Sequence, residues 1–138
     1  MHPGTITVQH DERDSFSIAI RSHELVVDQP LEEGGRDSGP TPTELFVASI
    51  AGCVGHYARR FLHRHGLPDD VRVTADWSMT QPPARVGNVA LTVTTVELPG
   101  ELAARFERTI ARCVVHNSLQ DPPEITFRRE SVSKRRAS

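Results

Sequence analysis

The sequence predicts an α+β fold in which a mostly antiparallel sheet packs against helices, and three observations lead to this prediction. Short segments that alternate apolar and polar residues mark strands, and two longer segments that repeat apolar residues at helical spacing mark helices. Their order, β-β-β-α-β-β-α-β, lacks the strand–helix alternation of parallel sheets. With 138 residues and 37% hydrophobic content, the chain is expected to form one domain over residues 1–138.

The first three strands are predicted to form a meander. The segments "TITVQH", "SFSIAIR" and "HELVVDQ" alternate apolar with polar residues and are rich in β-branched side chains, and "DERD" between the first two is a turn signal. The next segment, "PLEEGGRDSGP", is rich in glycine, proline and charge, so we expect a loop. A loop of this length in a small domain is often functional.

A long helix is predicted to follow this loop. Thr41 as N-cap, Pro42 at the first helical position and Glu44 at the third form a capping box, and Gly66 and Pro68 end the helix. A helix of this length is expected to be the central one of the fold. Its apolar stripe consists of Phe46, Ile50, Val54, Tyr57 and Phe61.

Beside the apolar stripe of this helix runs a second stripe of small residues, Ala48, Gly52 and Gly55. Small side chains at helical spacing let another helix approach closely. The helix is long for the core of a monomer of this size, so the neighbour can belong to a second subunit as readily as to the same chain. The residues alone leave both arrangements open.

Two more strands and a second helix are predicted in the second half of the chain. "VRVTADWSMT" and "NVALTVTTVEL" have the pattern of strands joined through "QPPARVG". The segment "GELAARFERTIARC" is predicted to be helix two. Its buried face is expected to carry Leu102, Phe106, Ile110 and Cys113.

The carboxyl-terminal part is predicted to return to the sheet. "VVHNSLQDPP" continues or ends the helical region, with Asn117 and Ser118 capping the local turn. "EITFRRESV" is predicted to be the last strand, with Ile125 and Phe127 alternating along it. Residues 133–138 are expected to form a basic, disordered tail.

Charge and hydropathy argue against several classes of partner. The formal net charge is −2, with 16 basic and 18 acidic residues, which gives no positive field for nucleic acid. The amino-terminal "MHPGTITVQHDERD" lacks the features of a secretory signal, and no run of 18 apolar residues is present. We therefore expect a cytoplasmic protein that binds neither nucleic acid nor membrane.

The two cysteines, Cys53 and Cys113, both fall on predicted apolar faces and are expected to point inward. In a reducing compartment two cysteines do not make a disulfide scaffold. They can be small buried hydrophobic residues, which is the usual state of unpaired intracellular cysteines. They can also be a peroxidatic thiol with its resolving partner, which requires an arginine that stabilises the thiolate and an apolar pocket for the substrate.

A third interpretation of the cysteines is a metal site. "CVGH" and "CVVH" form a repeated C-x-x-H, and two cysteines with two histidines are a common zinc ligand set. Structural zinc sites usually take their ligands from knuckles and short loops rather than from a regular helix, which argues against this interpretation. His56 and His116 can instead bond a backbone carbonyl or a partner subunit, or act as a base toward the neighbouring thiol.

Two segments together resemble the OsmC/Ohr superfamily, the osmotically induced protein C and organic hydroperoxide resistance proteins. They are "GPTPTELFVASIAGC" and, some sixty residues later, "CVVHNSL". The resemblance extends over the whole chain and implies an OsmC-like fold, in which an antiparallel sheet wraps around long central helices of an intertwined homodimer. It also implies a thiol peroxidase that reduces organic hydroperoxides and needs no cofactor or metal.

The resemblance implies a role for each cysteine. Cys53 attacks the peroxide and becomes a sulfenic acid, and Cys113 resolves it as a disulfide. A dithiol, in some members a lipoyl group on a protein, then reduces the disulfide.

Thiolate chemistry also needs an arginine and a carboxylate that orients it. Arg13 and Arg36 resemble the arginines of two different branches of the superfamily. Glu44 is the candidate carboxylate, although in the characterised peroxidases the acid stands one residue earlier, where this chain has Thr43. Val114 likewise replaces a proline found in many members. These departures keep two alternatives open, which are a non-catalytic small-molecule binding protein and a C-x-x-H metal-binding protein.

Overall fold

The computed structural model describes residues 3–133, and it begins with the predicted meander. Strands β1 (Ile6–His10), β2 (Phe16–Ile20) and β3 (His23–Val27) form an antiparallel sheet in the order β1-β2-β3. The turn between β1 and β2 is closed by a backbone bond of 2.9 Å from the Ser15 N–H to the Glu12 carbonyl. The three strands and the turn at "DERD" are therefore confirmed.

One face of this sheet is apolar, and much of it is exposed. Val8 lies opposite Ile18, which lies opposite Leu25, so apolar residues form rows across the three strands. Val8 is 55% exposed and Leu25 42%. No helix of residues 3–133 packs extensively on this sheet. We call it the meander face, and it consists of Ile6, Val8, Phe16, Ile18, Ile20, Leu25 and Val27.

Helix α1 (Pro42–Arg64) is the central helix, and it starts where the sequence predicts. The Glu44 N–H donates to Thr41 Oγ1 at 3.1 Å, and the Thr41 N–H donates to Glu44 Oε1 at 2.8 Å, which completes the capping box. The helix ends before Gly66, whose φ of +67° is left-handed and readily adopted by glycine.

The buried face of α1 is turned slightly from the predicted stripe. Phe46 is 39% exposed and Tyr57 is half-buried, so both lie at the edge of the packed face. The shift arises because α1 packs on a β-hairpin and on a second helix, which cover neighbouring positions of α1. The residues buried on α1 are Val47, Ile50, Val54, Ala58, Phe61 and Leu62.

The hairpin that packs on α1 consists of β4 (Arg72–Thr80) and β5 (Arg85–Thr94), paired antiparallel. The prediction of two strands is confirmed, but β5 starts three residues earlier than predicted. Arg85 and Val86 pair with Thr80 and Met79, and Gly87 forms a bulge. The turn is thus shorter than "QPPARVG", and Arg85 Nη1 donates to the carbonyl of Pro82 at 3.0 Å.

Helix α2 (Gly100–Ile110) packs its predicted face on α1. Phe106 meets Phe61 edge to face, with ring centroids 5.4 Å apart, and both are buried. The helix ends at Ile110. The prediction that Cys113 lies on this helix is therefore wrong. The chain turns through a bond from the Arg112 N–H to the Thr109 carbonyl and then starts a separate short helix, α3 (Val114–Gln120).

The predicted last strand is wrong for the isolated chain. Residues 121–133 contain no helix or strand. A strand needs a neighbour for its backbone bonds, and none of β1 to β5 pairs with this segment. Ile125 is 71% exposed and Phe127 94%. Of the predicted basic tail, residues 134–138 lie outside the described residues.

Residues 3–133 thus form an α+β fold with antiparallel sheets, three α-helices and a short 3-10 helix at Leu31–Glu33. Within residues 3–133, no helix combines the length and apolar character needed to cross a membrane.

Candidate functional site

The two cysteines come together although they lie on different helices. Cys53 sits on the half-buried flank of α1, and Cys113 is fully buried at the amino end of α3. Cys113 is the N-cap of α3, with an extended backbone (φ −69°, ψ 153°), and its Sγ accepts the backbone N–H of His116 at 3.3 Å. The sulfur of Cys113 therefore takes the place that an oxygen usually has in a helix cap.

Cys53 and Cys113 are free thiols that lie close enough to interact with each other. Burial raises the pKa of the Cys113 thiol, and the contact with Cys53 raises it further, while the N–H of His116 lowers it in part. Cys113 is thus held as a buried thiol, and the less buried Cys53 is the sulfur that a solute reaches first. We call this pair the dithiol.

An apolar groove of about 350 Å³ lies between α1, β5 and α3, and its lining includes neighbours of both cysteines but neither cysteine itself. Ile50, one turn before Cys53, forms part of one wall, and His116, whose N–H bonds the Cys113 sulfur, forms part of another. The groove is large enough for the alkyl or aryl part of a small molecule. Its apolar side chains are Phe46, Ile50, Val86, Val89, Leu91 and Leu119.

Of the two candidate arginines, Arg13 lies in the β1–β2 turn and Arg36 in the loop before α1. Arg13, in the β1–β2 turn with φ of +52°, donates from Nη2 to the Gly34 carbonyl at 3.1 Å. Arg36 makes an ion pair with Glu12 of the same turn. Both arginines therefore tie the turn to the loop that precedes α1.

Asp28 organises this loop. It is 2% exposed, and its Oδ2 accepts the Ser38 hydroxyl at 2.6 Å together with the backbone N–H groups of Ser38 and Arg36. The Ser38 hydroxyl and these backbone N–H groups, with that of Gln29, lower the pKa of Asp28 to about 2. The carboxylate thus fixes the backbone that carries Arg36.

Two glycines let the loop pack directly on its neighbours. A Cβ at Gly35 would come within 2.0 Å of the Gln29 carbonyl oxygen, and one at Gly39 within 2.3 Å of the Val26 carbonyl oxygen. Any side chain at these positions would displace the backbone. The loop that leads into α1 is therefore closely packed, despite its exposed and charged sequence.

Glu44 serves the helix cap. Its carboxylate accepts the Thr41 N–H, and Thr43 beside it is half-buried. Within residues 3–133, the bonds of Arg13, Arg36 and Glu44 are with the turn, the loop and the cap, and none of them is with either cysteine.

The histidines of the two C-x-x-H motifs do not converge. The His56 ring stands edge-on to Tyr57, with centroids 5.8 Å apart, while His116 lines the apolar groove. In the described part of the chain, no three side chains among histidine, cysteine, aspartate and glutamate are grouped to hold a metal ion. Asn117 donates to the carbonyl of Arg112 in the turn before α3, as predicted, whereas Ser118 lies inside α3 and donates to the carbonyl of Val114 one turn earlier.

Sequence reasoning missed two parts of this region. The β5 wall of the groove gave no signal, because Val86, Val89 and Leu91 have the pattern of ordinary strand residues. Asp28, in contrast, did have a recognisable signal in the sequence. An aspartate between a strand and a glycine-rich loop is well placed to accept several backbone N–H groups of that loop.

Comparison with known proteins gives a consistent result. A family model described as OsmC-like protein matches residues 35–128, which is more than half of the chain. No curated protein is significantly similar to the chain in sequence.

Solved structures share the fold at low identity. A Psychrobacter arcticus protein, provisionally described as an osmotic stress induced and detoxification response protein, has a TM-score of 0.76 at 21% identity, covering 86% of this chain and 89% of its own. The organic hydroperoxide resistance protein OsmC of Legionella pneumophila has a TM-score of 0.67 at 21% identity, covering 87% and 90%. For the organic hydroperoxide resistance protein OhrB of Bacillus subtilis, the TM-score is 0.64 at 18% identity, covering 88% and 93%. The chain belongs to the OsmC-like protein family.

Proposed function

We propose that this protein is a homodimeric, thiol-dependent peroxidase that reduces organic hydroperoxides through Cys53 and Cys113. One observation carries the proposal: two free thiols lie close together, the less buried one a helical turn from Ile50, which lines an apolar groove. A hydroperoxide with an alkyl or aryl group can place that group in the groove and its oxygens at Cys53. The names of the solved Legionella and Bacillus proteins agree with this chemistry.

The proposed reaction has two steps at sulfur. The Cys53 thiolate attacks the terminal oxygen of the peroxide, the O–O bond breaks, and the alkoxide leaves and takes up a proton to become the alcohol. Cys53 is then a sulfenic acid. Cys113 attacks the Cys53 sulfur, the hydroxyl group leaves as water, and a disulfide remains. A dithiol reductant, such as a lipoyl group on a protein, returns both thiols, which fits a cytoplasmic setting.

A second subunit is part of the proposal. The meander face is apolar and open in the single chain, and a Cβ at Gly52 would meet nothing within 4 Å. Both features are suited to contact with another copy of the chain. We propose that dimer formation brings the loop with Arg13 or Arg36 to the partner's dithiol, where a guanidinium stabilises the thiolate. Glu44 is the carboxylate that we propose to orient it.

A non-catalytic binding protein is the second candidate. It is favoured by Thr43 at the family's acid position and by Glu44, which is engaged in the helix cap. In that case the apolar groove binds a small molecule and the dithiol takes no part.

The test compares two peroxides on the purified protein. Cumene hydroperoxide is expected to convert the dithiol to a disulfide at least about tenfold faster than hydrogen peroxide does, because only the aryl substrate gains from the groove. Cys53→Ser should abolish turnover. Cys113→Ser should consume one equivalent and trap a sulfenic acid, and serine keeps an acceptor at the cap of α3. Mass spectrometry that finds both thiols reduced after treatment would instead establish the binding protein.

A matched pair of variants on α3 tests the groove itself. Leu119 lines the groove and is 45% exposed, whereas Val114 is 49% exposed and does not line it. Leu119→Ser is expected to slow the reaction with cumene hydroperoxide and to leave that with hydrogen peroxide unchanged. Val114→Ser should affect neither. Equal effects of the two variants would exclude the groove as the substrate site.

A further inference from the structure

A second groove, between α1 and the α2 region, is lined mainly by arginines. Arg60 and Arg64 project into it from α1, and Arg105, Arg108 and Arg112 from α2 and the turn after it. The groove has a volume of about 350 Å³. We call it the arginine groove.

Helical spacing explains why these side chains meet. On α1, Tyr57, Arg60 and Arg64 follow each other at i, i+3 and i+7, which places them on one side of the helix. Arg105, Arg108 and Arg112 have the same spacing along α2 and its end. Two rows of arginines, one on each helix, therefore face the arginine groove. No single motif in the sequence reveals this arrangement.

The five guanidiniums of the arginine groove have no ion-pair partner among residues 3–133. In the described residues 3–133, none of them forms an ion pair or a side-chain hydrogen bond. Some arginines outside the groove are paired: Arg59, which precedes Arg60 on α1, pairs with Asp69 at 2.8 Å, and Arg36 pairs with Glu12. In a chain with a net charge of −2, five unpaired positive groups around the arginine groove are a marked concentration of positive charge.

The arginine groove is also separate from the small stripe of α1. At about 100° per residue, the small stripe of Ala48, Gly52 and Gly55 lies on the opposite side of α1 from Tyr57, Arg60 and Arg64. A helix from a second subunit on the small stripe leaves the arginines open. Like charges also disfavour burial of this surface against its own copy.

We propose that the arginine groove binds a small polyanion that carries two or more phosphate groups. One guanidinium group can donate two parallel hydrogen bonds to two phosphate oxygens. Five guanidiniums offer more donors than the oxygens of one carboxylate or one sulfate can accept. The volume fits one small molecule. Tyr57 and Thr109, which also line the groove, add hydroxyl groups to the arginine donors. This proposal does not depend on the peroxidase chemistry, since no step of it involves the thiols.

The test uses inorganic tripolyphosphate and ATP as probes, with sulfate at matched ionic strength as the reference anion. Both phosphate probes are expected to bind saturably in calorimetry and to raise the melting temperature, with an affinity that falls as sodium chloride is added. If sulfate stabilises the protein equally, or if neither phosphate probe binds, the proposal is wrong. An acidic peptide that binds where tripolyphosphate does not would overturn it as well.

Variants locate the binding. Arg60→Gln and Arg108→Gln remove one charge from each side of the groove and are each expected to weaken tripolyphosphate binding by roughly tenfold. Arg72→Gln on β4 removes the same charge from an exposed position outside the groove and should change the affinity little. Equal losses in all three variants would mean that only net charge matters, which contradicts a site.

A measurement on the unmodified protein does not depend on how the variants fold. The chain has one tyrosine and one tryptophan, so the ring signals of Tyr57 and Trp77 are each unique in NMR spectra. Addition of tripolyphosphate should shift the Tyr57 signals and leave those of Trp77 on β4 in place. Unshifted Tyr57 signals at saturating probe would contradict the proposal.

Discussion

Single residues that are inconspicuous in the sequence hold the loop before α1 in place. Asp28 accepts bonds from Ser38 and from the Arg36 N–H. Gly35 and Gly39 let the loop backbone approach the carbonyls of Gln29 and Val26. Arg36, a candidate for the catalytic arginine, thus stands on a segment with a fixed path. A flexible arginine would lose more conformational entropy when it engages a thiolate.

Asp28→Asn is expected to lower the melting temperature by several degrees, because the amide nitrogen of asparagine presents donors where Asp28 Oδ2 accepts three bonds. The pKa of Asp28 is lowered from 3.8 to about 2 in the folded protein, so its contribution is present above pH 4 and is lost as the pH falls toward 2. The melting temperatures of the unmodified protein and of Asp28→Asn, measured between pH 6 and pH 2.5, should approach each other at the acid end.

Asp70→Asn serves as the control for this measurement, since Asp70 is exposed and carries no bond of this kind. It should melt like the unmodified protein at every pH. A gap between Asp28→Asn and the unmodified protein that stays constant down to pH 2.5 would show that the charge of Asp28 is not what stabilises the loop.

At the scale of secondary-structure elements, the sequence predicted correctly those helices and strands that are determined by interactions over a few residues. The meander, the capping box at Thr41 and the buried face of α2 are confirmed, because alternation and capping act over a few residues. Helix two was predicted too long and Cys113 was placed on it, since nothing local distinguishes a helix that ends at Ile110 from one that continues. The contact between the two thiols joins residues 60 positions apart, which spacing alone does not predict.

The segment over residues 124–130 is expected to gain a partner in the dimer. It has the alternation of a strand, yet in the single chain it is unpaired, and Phe127 is 94% exposed. If a second subunit covers it, its amides should exchange slowly in deuterium exchange at high protein concentration and quickly on dilution. The amides of β2 are the internal reference, since that strand is paired on both sides within one chain. Fast exchange of 124–130 at every concentration would refute the pairing.

The whole molecule, as a single chain, leaves apolar surface open on two sides. The meander face has no helix packed extensively on it within residues 3–133, and the small stripe of α1 is open at Gly52. Contact between copies of the chain accounts for both features together. The sequence indicated such a neighbour through the length of α1 and its small residues, but it could not reveal the meander face, because that depends on where the sheet stands relative to α1.

Gly52→Leu tests this assembly. In an isolated chain a Cβ at position 52 meets nothing within 4 Å, and replacement of a helical glycine would stabilise the helix by up to about 1 kcal/mol. In a dimer with closely packed helices the same change should cost about 1–3 kcal/mol and shift light scattering from two chains toward one. Gly100→Leu, at the other open helical glycine, should leave the mass unchanged. A Gly52→Leu protein that stays dimeric and melts higher would rule out this contact.

The contact between the thiols also bears on the unfolded chain. If the sulfurs of Cys53 and Cys113 are joined, the bond closes a ring of about 60 residues, and the entropy that the unfolded ensemble loses corresponds to about 4 kcal/mol of added stability. By thermodynamic reciprocity, the folded chain favours the joined sulfurs over the separate ones by the same amount, relative to the unfolded chain. Resistance to unfolding and the redox state of the two sulfurs are therefore coupled in this fold.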